Sequence, residues 1–213
     1  MNFIVFLGAP GSGKGTQAQN LVLTYPDKFA HISTGDLLRQ EVKKKSEAAL
    51  RLQIDLAAGN FISDDIIFDL LEEKIKTIND SKKIILDGFP RTFDQAQRLL
   101  DFVKKTGKQL EKVVYFGIAD ELLFDRLSGR MTCNECGAVY HQTAMPERCG
   151  CGSTSFRARA DDNENVIRNR LEIFHAETEP LVSYYEAQRV LFRVDATQSI
   201  DGIKQELLKV LGL

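Results

Sequence analysis

The sequence predicts an α/β fold in which a five-stranded parallel sheet is wrapped by helices, and three observations carry that prediction. Five short apolar runs recur along the chain, with the continuous character of strands buried on both faces. Segments of helical period separate them, as in a parallel sheet with crossover helices. A glycine-rich loop follows the first run and opens the first helix, which is the context a phosphate-binding loop requires.

In chain order, the first strand is Phe3-Ile4-Val5-Phe6-Leu7 and a weaker one spans Phe29 to Ile32. The others are Ile84-Ile85-Leu86, Val113-Val114-Tyr115-Phe116 and Val190-Leu191-Phe192-Arg193-Val194. Helical period marks Gln17 to Leu23, Ile66 to Ile78 and Phe93 to Val103. Two stretches break the alternation. Gly35 to Ser63 reads as helical and highly charged, and its Lys43-Lys44-Lys45 run reads as a solvated helix face. Met131 to Arg157 is poor in large aliphatic residues and rich in Cys, Gly, Thr and Ser, so it needs a staple to fold. Neither repeats nor low-complexity tracts interrupt the pattern.

Composition sets the outer bounds. At 213 residues the chain suits one full core with smaller insertions. A net charge of -2 gives no global pull toward nucleic acid or anionic membrane, so an anion site must be built from local basic clusters. No apolar run approaches the ~20 residues that span a bilayer. The N-terminus lacks a basic region and a small-residue cleavage site, so no signal peptide is expected and the cytoplasm is the default compartment. Four cysteines, Cys133, Cys136, Cys149 and Cys151, lie in one short segment; without an export signal that favours metal over disulfides.

The loop itself is Gly8-Ala9-Pro10-Gly11-Ser12-Gly13-Lys14-Gly15-Thr16. Its glycines let the backbone curl so that N–H groups point inward as an anion nest, and the helix N-terminus adds a positive dipole end. Lys14 can reach the β- and γ-phosphates of a nucleotide. The general pattern places a hydroxyl directly after the lysine; here Gly15 intervenes and the hydroxyl arrives at Thr16.

The form G-x-P-G-x-G-K-G-T resembles the variant found in adenylate kinases and their near relatives among nucleoside monophosphate kinases. Four more segments extend the resemblance in the family's order over nearly the whole chain. Ile32-Ser33-Thr34-Gly35-Asp36-Leu37-Leu38-Arg39 is similar to the start of the monophosphate-binding insert, and Leu86-Asp87-Gly88-Phe89-Pro90-Arg91 with Gln95 to the second AMP-contact segment. Asp125-Arg126-Leu127-Ser128-Gly129-Arg130 resembles the entry to the lid, and Arg159-Ala160-Asp161-Asp162 through Arg168-Asn169-Arg170 its exit.

The resemblance implies a three-part protein: a core of residues 1–32, 63–128 and 163–213, a helical AMP-binding insert at 33–62 and a small zinc-ribbon-like lid at 129–162. It implies reversible phosphoryl transfer from ATP-Mg²⁺ to AMP, giving two ADP, in a monomer without nucleic-acid or membrane partners. The nucleophile is then a phosphate oxygen that is already largely ionised. No general base is needed, and several arginines and a lysine must converge to neutralise charge. Lys14, Arg39, Arg91, Arg126, Arg130, Arg159 and Arg170 all lie inside the motif segments, and Arg suits paired phosphate oxygens.

By the same resemblance Arg39, Arg91, Arg159 and Arg170 grip AMP, Arg130 contacts ATP and Arg126 lies on the ATP side. Gly11, Ser12, Gly13, Lys14, Gly15 and Thr16 cradle ATP phosphates, while Val139, Tyr140 and Gln198 line the ATP adenine site. Thr34 and Gln95 bear on the AMP base, with Asn60, Phe61, Ile62, Gly88, Phe89 and Pro90 as further AMP contacts. Asp87 ends an apolar strand, where an acidic residue can hold Mg²⁺ through water, and Asp36 can assist. His31 reads as structural and His175 as a helix-face residue.

Cys133-Asn134-Glu135-Cys136 is a good metal knuckle. Zinc-bearing members of the family have C-x-x-C in the second pair, whereas Cys149-Gly150-Cys151 is one residue shorter; Cys149 is the displaced ligand and His141 an alternative. Rival readings are a sibling kinase using GTP as donor or CMP or UMP as acceptor, a GTP-binding switch, and a zinc-ribbon nucleic-acid binder. The chain has no N-K-x-D or T-K-x-D stretch for guanine. The lid's arginines are balanced by Glu135, Glu147, Asp161 and Asp162.

Overall fold

The protein is described here from a computed structural model that covers residues 2–44, 49–50, 52–54 and 62–213. Strands β1 (Asn2–Leu7), β2 (Phe29–Ser33), β3 (Lys83–Asp87), β4 (Gln109–Gly117) and β8 (Leu191–Asp195) form one sheet in the order β2-β3-β1-β4-β8. Every neighbouring pair is parallel. All five apolar runs are therefore strands. β4 starts before its apolar run because its pairing with β1 continues back to Gln109, past an irregularity between Phe3 and Ile4.

Parallel strands need crossovers, and helices supply them on both faces. These are α1 (Lys14–Thr24), α2 (Thr34–Val42), α3 (Asp64–Lys76), α4 (Phe93–Lys105), α5 (Asp120–Ser128), α6 (Glu164–Ile173), α7 (Pro180–Ala187) and α8 (Ile200–Leu211). The pleat sends alternate side chains of a strand to opposite faces. In β1, Phe3, Val5 and Leu7 join a cluster with Leu71, Leu99 and Tyr185 from α3, α4 and α7. Ile4 and Phe6 join Ala18, Leu21 and Leu207 from α1 and α8 on the other side. The sheet is thus the middle of three layers.

A second, three-stranded antiparallel sheet lies between α5 and α6 in sequence: β5 (Arg130–Cys133) at its centre, β6 (Val139–His141) and β7 (Phe156–Ala158) at its edges. It falls inside the segment expected as a lid. Between α6 and α7 the chain makes one π-helical turn, Phe174–Thr178. Among the described residues no helix is long and apolar enough to cross a membrane.

Candidate active site

A cavity of ≈ 630 Å³ opens at the carboxyl ends of β1 and β3, where an open α/β sheet places its ligands. Its floor is the glycine-rich loop. Helix α1 begins at Lys14 with Gly13 as N-cap in the left-handed region (φ 91°), without a side-chain cap and without an acidic residue in its first turn. The first-turn N–H groups are thus left for an anion. Lys14 Nζ donates to the carbonyl oxygens of Gly8 and Ala9, each at 2.7 Å, and lies 3.2 Å from Ser12 Oγ.

The extra glycine in the loop has a local cause. A Cβ at position 15 would come within 3.0 Å of Asp87 Oδ2, so Gly15 leaves the room that the strand-end carboxylate occupies. His31 Nε2 lies 3.4 Å from the same carboxylate oxygen. Burial raises the Asp87 pKa, but contact with His31 and the charges of Lys14 and Arg91 outweigh it, and the net displacement is downward. Asp87 is therefore an anion at neutral pH. Lys14 moves the other way: burial pushes it down to about 8, Asp87 pulls it up, and Arg91, Arg170 and Arg130 push it down.

The cavity wall collects all seven expected cations: Lys14, Arg39, Arg91, Arg126, Arg130, Arg159 and Arg170. They come from the loop, α2, the segment after β3, α5, β5, the chain after β7, and α6. Their crowding shows in their acidity. Burial above all lowers Arg159 and Arg170 to about 10 each; neighbouring arginines add to it, and for Arg170 the Asp161 carboxylate opposes it. Acidic side chains hold several of the arginines. Arg130 Nε donates to Asp162 Oδ2 at 2.7 Å and its Nη2 to Asp162 Oδ1. Arg170 Nη1 donates to Asp161 Oδ2 at 2.9 Å, and Arg39 Nη2 to Asp36 Oδ1 at 2.6 Å. Arg91, Arg126 and Arg159 instead donate to the Gly88 carbonyl, the Ala196 carbonyl and the Thr132 hydroxyl. Among the described residues these three have no carboxylate ion pair.

Gly11, Gly13, Gly15, Thr16, Gly88, Pro90, Val139, Tyr140 and Gln198 also line the cavity. Ser12, Thr34, Phe89 and Gln95 are buried beside lining residues, and Ile62 is buried in the apolar core. The Thr34 hydroxyl donates to the Gly88 carbonyl at 2.9 Å. Gln95 is fully buried; its Oε1 accepts from Arg91 N–H at 2.8 Å and its Nε2 donates to Asp64 at 2.6 Å. Both ends of the amide expected to read a base are thus engaged with protein. Asn60 and Phe61 lie outside the described residues. The Asp161–Asp162 clamps on Arg170 and Arg130, and Thr178 on the cavity wall, were not given roles from sequence. A quoted motif contains the two acids, but only the folded chain reveals their partners.

At one end of the small sheet, Cys133 of β5 and Cys136, Cys149 and Cys151 of the connecting turns come together, their sulfur atoms within 4.8 Å of one another. Cys133 Sγ lies 3.7 Å from Cys151 Sγ and Cys136 Sγ 3.5 Å from Cys149 Sγ. A tetrahedral zinc thiolate site, with Zn–S ≈ 2.3 Å, separates its sulfurs by about 3.8 Å. The four cysteines therefore fit such an ion, the short C-x-C pair included. Backbone N–H groups of Cys136 and Cys151 lower the Cys133 and Cys149 pKa values, the latter to about 6, whereas burial pushes Cys136 up to about 12, so without a cation the four sulfurs do not all ionise together. His141 is not the alternative ligand. Its ring lies against Gly129 and Thr143, with Nδ1 2.7 Å from Thr143 Oγ1.

The family model for adenylate kinase matches residues 6–190. The chain belongs to the adenylate kinase family. It is 37% identical over 214 residues to an adenylate kinase of Fervidobacterium nodosum, spanning 98% of this chain and 97% of that one. It is 41% identical over 212 residues to that of Nitrosococcus oceani, with 97% of each chain covered. With that of Methanosarcina barkeri it shares 39% identity over 216 residues, covering 99% and 98% of the two. The family's reaction is reversible phosphoryl transfer from ATP, with Mg²⁺, to AMP to give two ADP, and this chain is a kinase of that kind.

Proposed function

We propose that this cleft transfers the terminal phosphoryl group of ATP to AMP by positioning and charge neutralisation, with no general base from the protein. The observation that carries the reading is the convergence of Lys14 and six arginines on one cavity. Phosphoryl transfer gathers negative charge that needs such donors and little covalent help. Lys14 and the loop N–H groups hold the ATP phosphates, with Arg130 and Arg126 on the same side and Val139, Tyr140 and Gln198 around its base. Arg39, Arg91, Arg159 and Arg170 hold AMP against them. On binding, phosphate oxygens replace Asp161, Asp162 and Asp36 as partners of Arg170, Arg130 and Arg39. Asp87 would hold the Mg²⁺ that accompanies ATP, which supplies further charge neutralisation at the phosphate oxygens.

The insert at 33–62 and the lid at 129–162 act as two jaws that close before transfer, because water in an open cleft would compete for the phosphoryl group. Cys133, Cys136, Cys149 and Cys151 would hold one structural Zn²⁺ in the lid, whose four protein ligands leave no open position for chemistry. The protein works as a cytoplasmic monomer without nucleic-acid or membrane partners. A panel pairing ATP or GTP with AMP, CMP, UMP and GMP tests the substrate assignment. The expected outcome is fastest turnover with ATP and AMP, and faster turnover with CMP or UMP would overturn it.

A further inference from the structure

The main chain of Arg91 is gripped from two sides. Its N–H donates to Gln95 Oε1 at 2.8 Å, and its carbonyl accepts from Thr178 Oγ1 at 2.8 Å. The first grip is local, four residues away, while the second spans 87 residues of sequence. Thr178 is 6% exposed and lies on the cavity wall, so its hydroxyl bond is shielded from water and adjoins the site.

The backbone around Thr178 explains how it gets there. In the π-helical turn Phe174–Thr178, Glu179 N–H donates to the Phe174 carbonyl, five residues back, at 2.8 Å. Such a turn holds one residue more than an α-turn and rotates everything after it by about 100°. Up to the first residue of the turn, Ile167, Leu171 and Phe174 face Leu123 and Leu127 of α5. After it, Leu181, Val182 and Tyr185 face the central sheet. Thr178 sits at the changeover, directed at the segment after β3. The turn is pinned from outside by His175, whose Nε2 is 2.8 Å from Asp120 and whose Nδ1 is 2.8 Å from Glu179.

We propose that Thr178 is a positioning residue for Arg91: its hydroxyl, delivered by the π-turn, fixes the Arg91 carbonyl and so aims the guanidinium at the transferring phosphoryl group. This rests on the reading above in which Arg91 neutralises charge in transfer. An error near 1 Å in a catalytic group can cost on the order of 10²-fold, so one buried hydrogen bond behind Arg91 is enough to matter.

The test is a double-mutant cycle on kcat with melting temperatures recorded for every variant. Thr178→Val keeps the shape and loses the donor, and kcat is expected to fall about tenfold or more with KM for ATP unchanged. Thr178→Ser keeps the donor and is expected to restore kcat to within about threefold of wild type. In an Arg91→Ala background, Thr178→Val is expected to cost less than about twofold further, because the group it aims is gone. A Thr178→Val enzyme with more than half the wild-type kcat would overturn the proposal, as would a Thr178→Ser enzyme no better than Thr178→Val. Full multiplicative loss in the double variant would overturn it too, by showing a structural effect unrelated to Arg91. If Arg91→Ala itself kept more than a tenth of kcat, both the proposal and the Arg91 assignment would fall, which the single Thr178 variants alone cannot cause.

Discussion

Five buried side chains of β1 feed two apolar clusters on opposite faces of the central sheet. Between residues 130 and 158, by contrast, the only buried side chains classed as hydrophobic are Cys133 and Cys149. Each fully buried Leu, Ile or Phe contributes roughly 1.5–3 kcal/mol, so the core can hold its shape by burial. The lid sheet, with edge strands of three residues and one Tyr140–Phe156 ring contact at 5.6 Å, cannot. Yet both regions carry arginines to the same cavity: Arg91 and Arg170 from the core, Arg130 and Arg159 from the lid. Function requires equal precision from two regions with unequal means of folding, and a Zn²⁺ held by the four clustered cysteines would supply it.

If charge from both regions acts on the same phosphates, Arg91→Ala and Arg159→Ala should be comparably severe. Each is expected to lower kcat by ~10²–10³ with the fold retained. Steady-state kinetics beside circular dichroism checks this, and more than a tenth of wild-type kcat in either variant would remove that residue from the transfer step.

Stability should separate where catalysis does not. Ile85 is fully buried in the central sheet, and Ile85→Ala is expected to cost ~2–5 kcal/mol in global unfolding. Phe156→Ala, in the half-buried small sheet, is expected to cost the global transition less than about 1 kcal/mol, because so few apolar side chains are buried there. Equal effects in denaturant melts would show one cooperative unit.

The core was the more legible of the two regions. Continuous apolar runs announce strands buried on both faces, and each of the five expected strands forms. The boundaries moved for identifiable reasons: α3 starts at Asp64, earlier than Ile66, because Asp64 and Asp65 supply acidic residues to its first turn. Lys14 and the arginines were readable because each is embedded in a motif with fixed neighbours. The acid clamps on Arg130 and Arg170, the engaged amide of Gln95 and the role of Thr178 depend on which distant segments meet, and local pattern does not encode that. The C-x-C pair was ambiguous because spacing alone does not say how Gly150 turns; folded, it brings Cys149 to within 3.5 Å of Cys136.

A smaller effect concerns Lys14. Its free-protein pKa of about 8, below the ordinary 10.5, means that it loses its proton as pH rises through 8. Bound phosphates favour the charged form and raise the pKa again, so ATP binding takes up a proton in that range. ATP affinity is expected to be level below about pH 7 and to weaken by up to about tenfold per pH unit above 8. Calorimetry at pH 8.5 in two buffers of different ionisation enthalpy should register uptake of up to about three quarters of a proton, and identical heats in both buffers would contradict the assignment.

The contrast between the two regions is tested most directly by hydrogen exchange with and without the lid metal. Protein purified without chelator is expected to carry about one equivalent of zinc. Stripping it should make amides of 130–141 and 149–158 exchange rapidly and abolish most activity, while those of 2–7, 83–87 and 109–117 stay as slow as before. Lid amides equally protected with and without metal, or a sheet that loses protection together with the lid, would contradict the account.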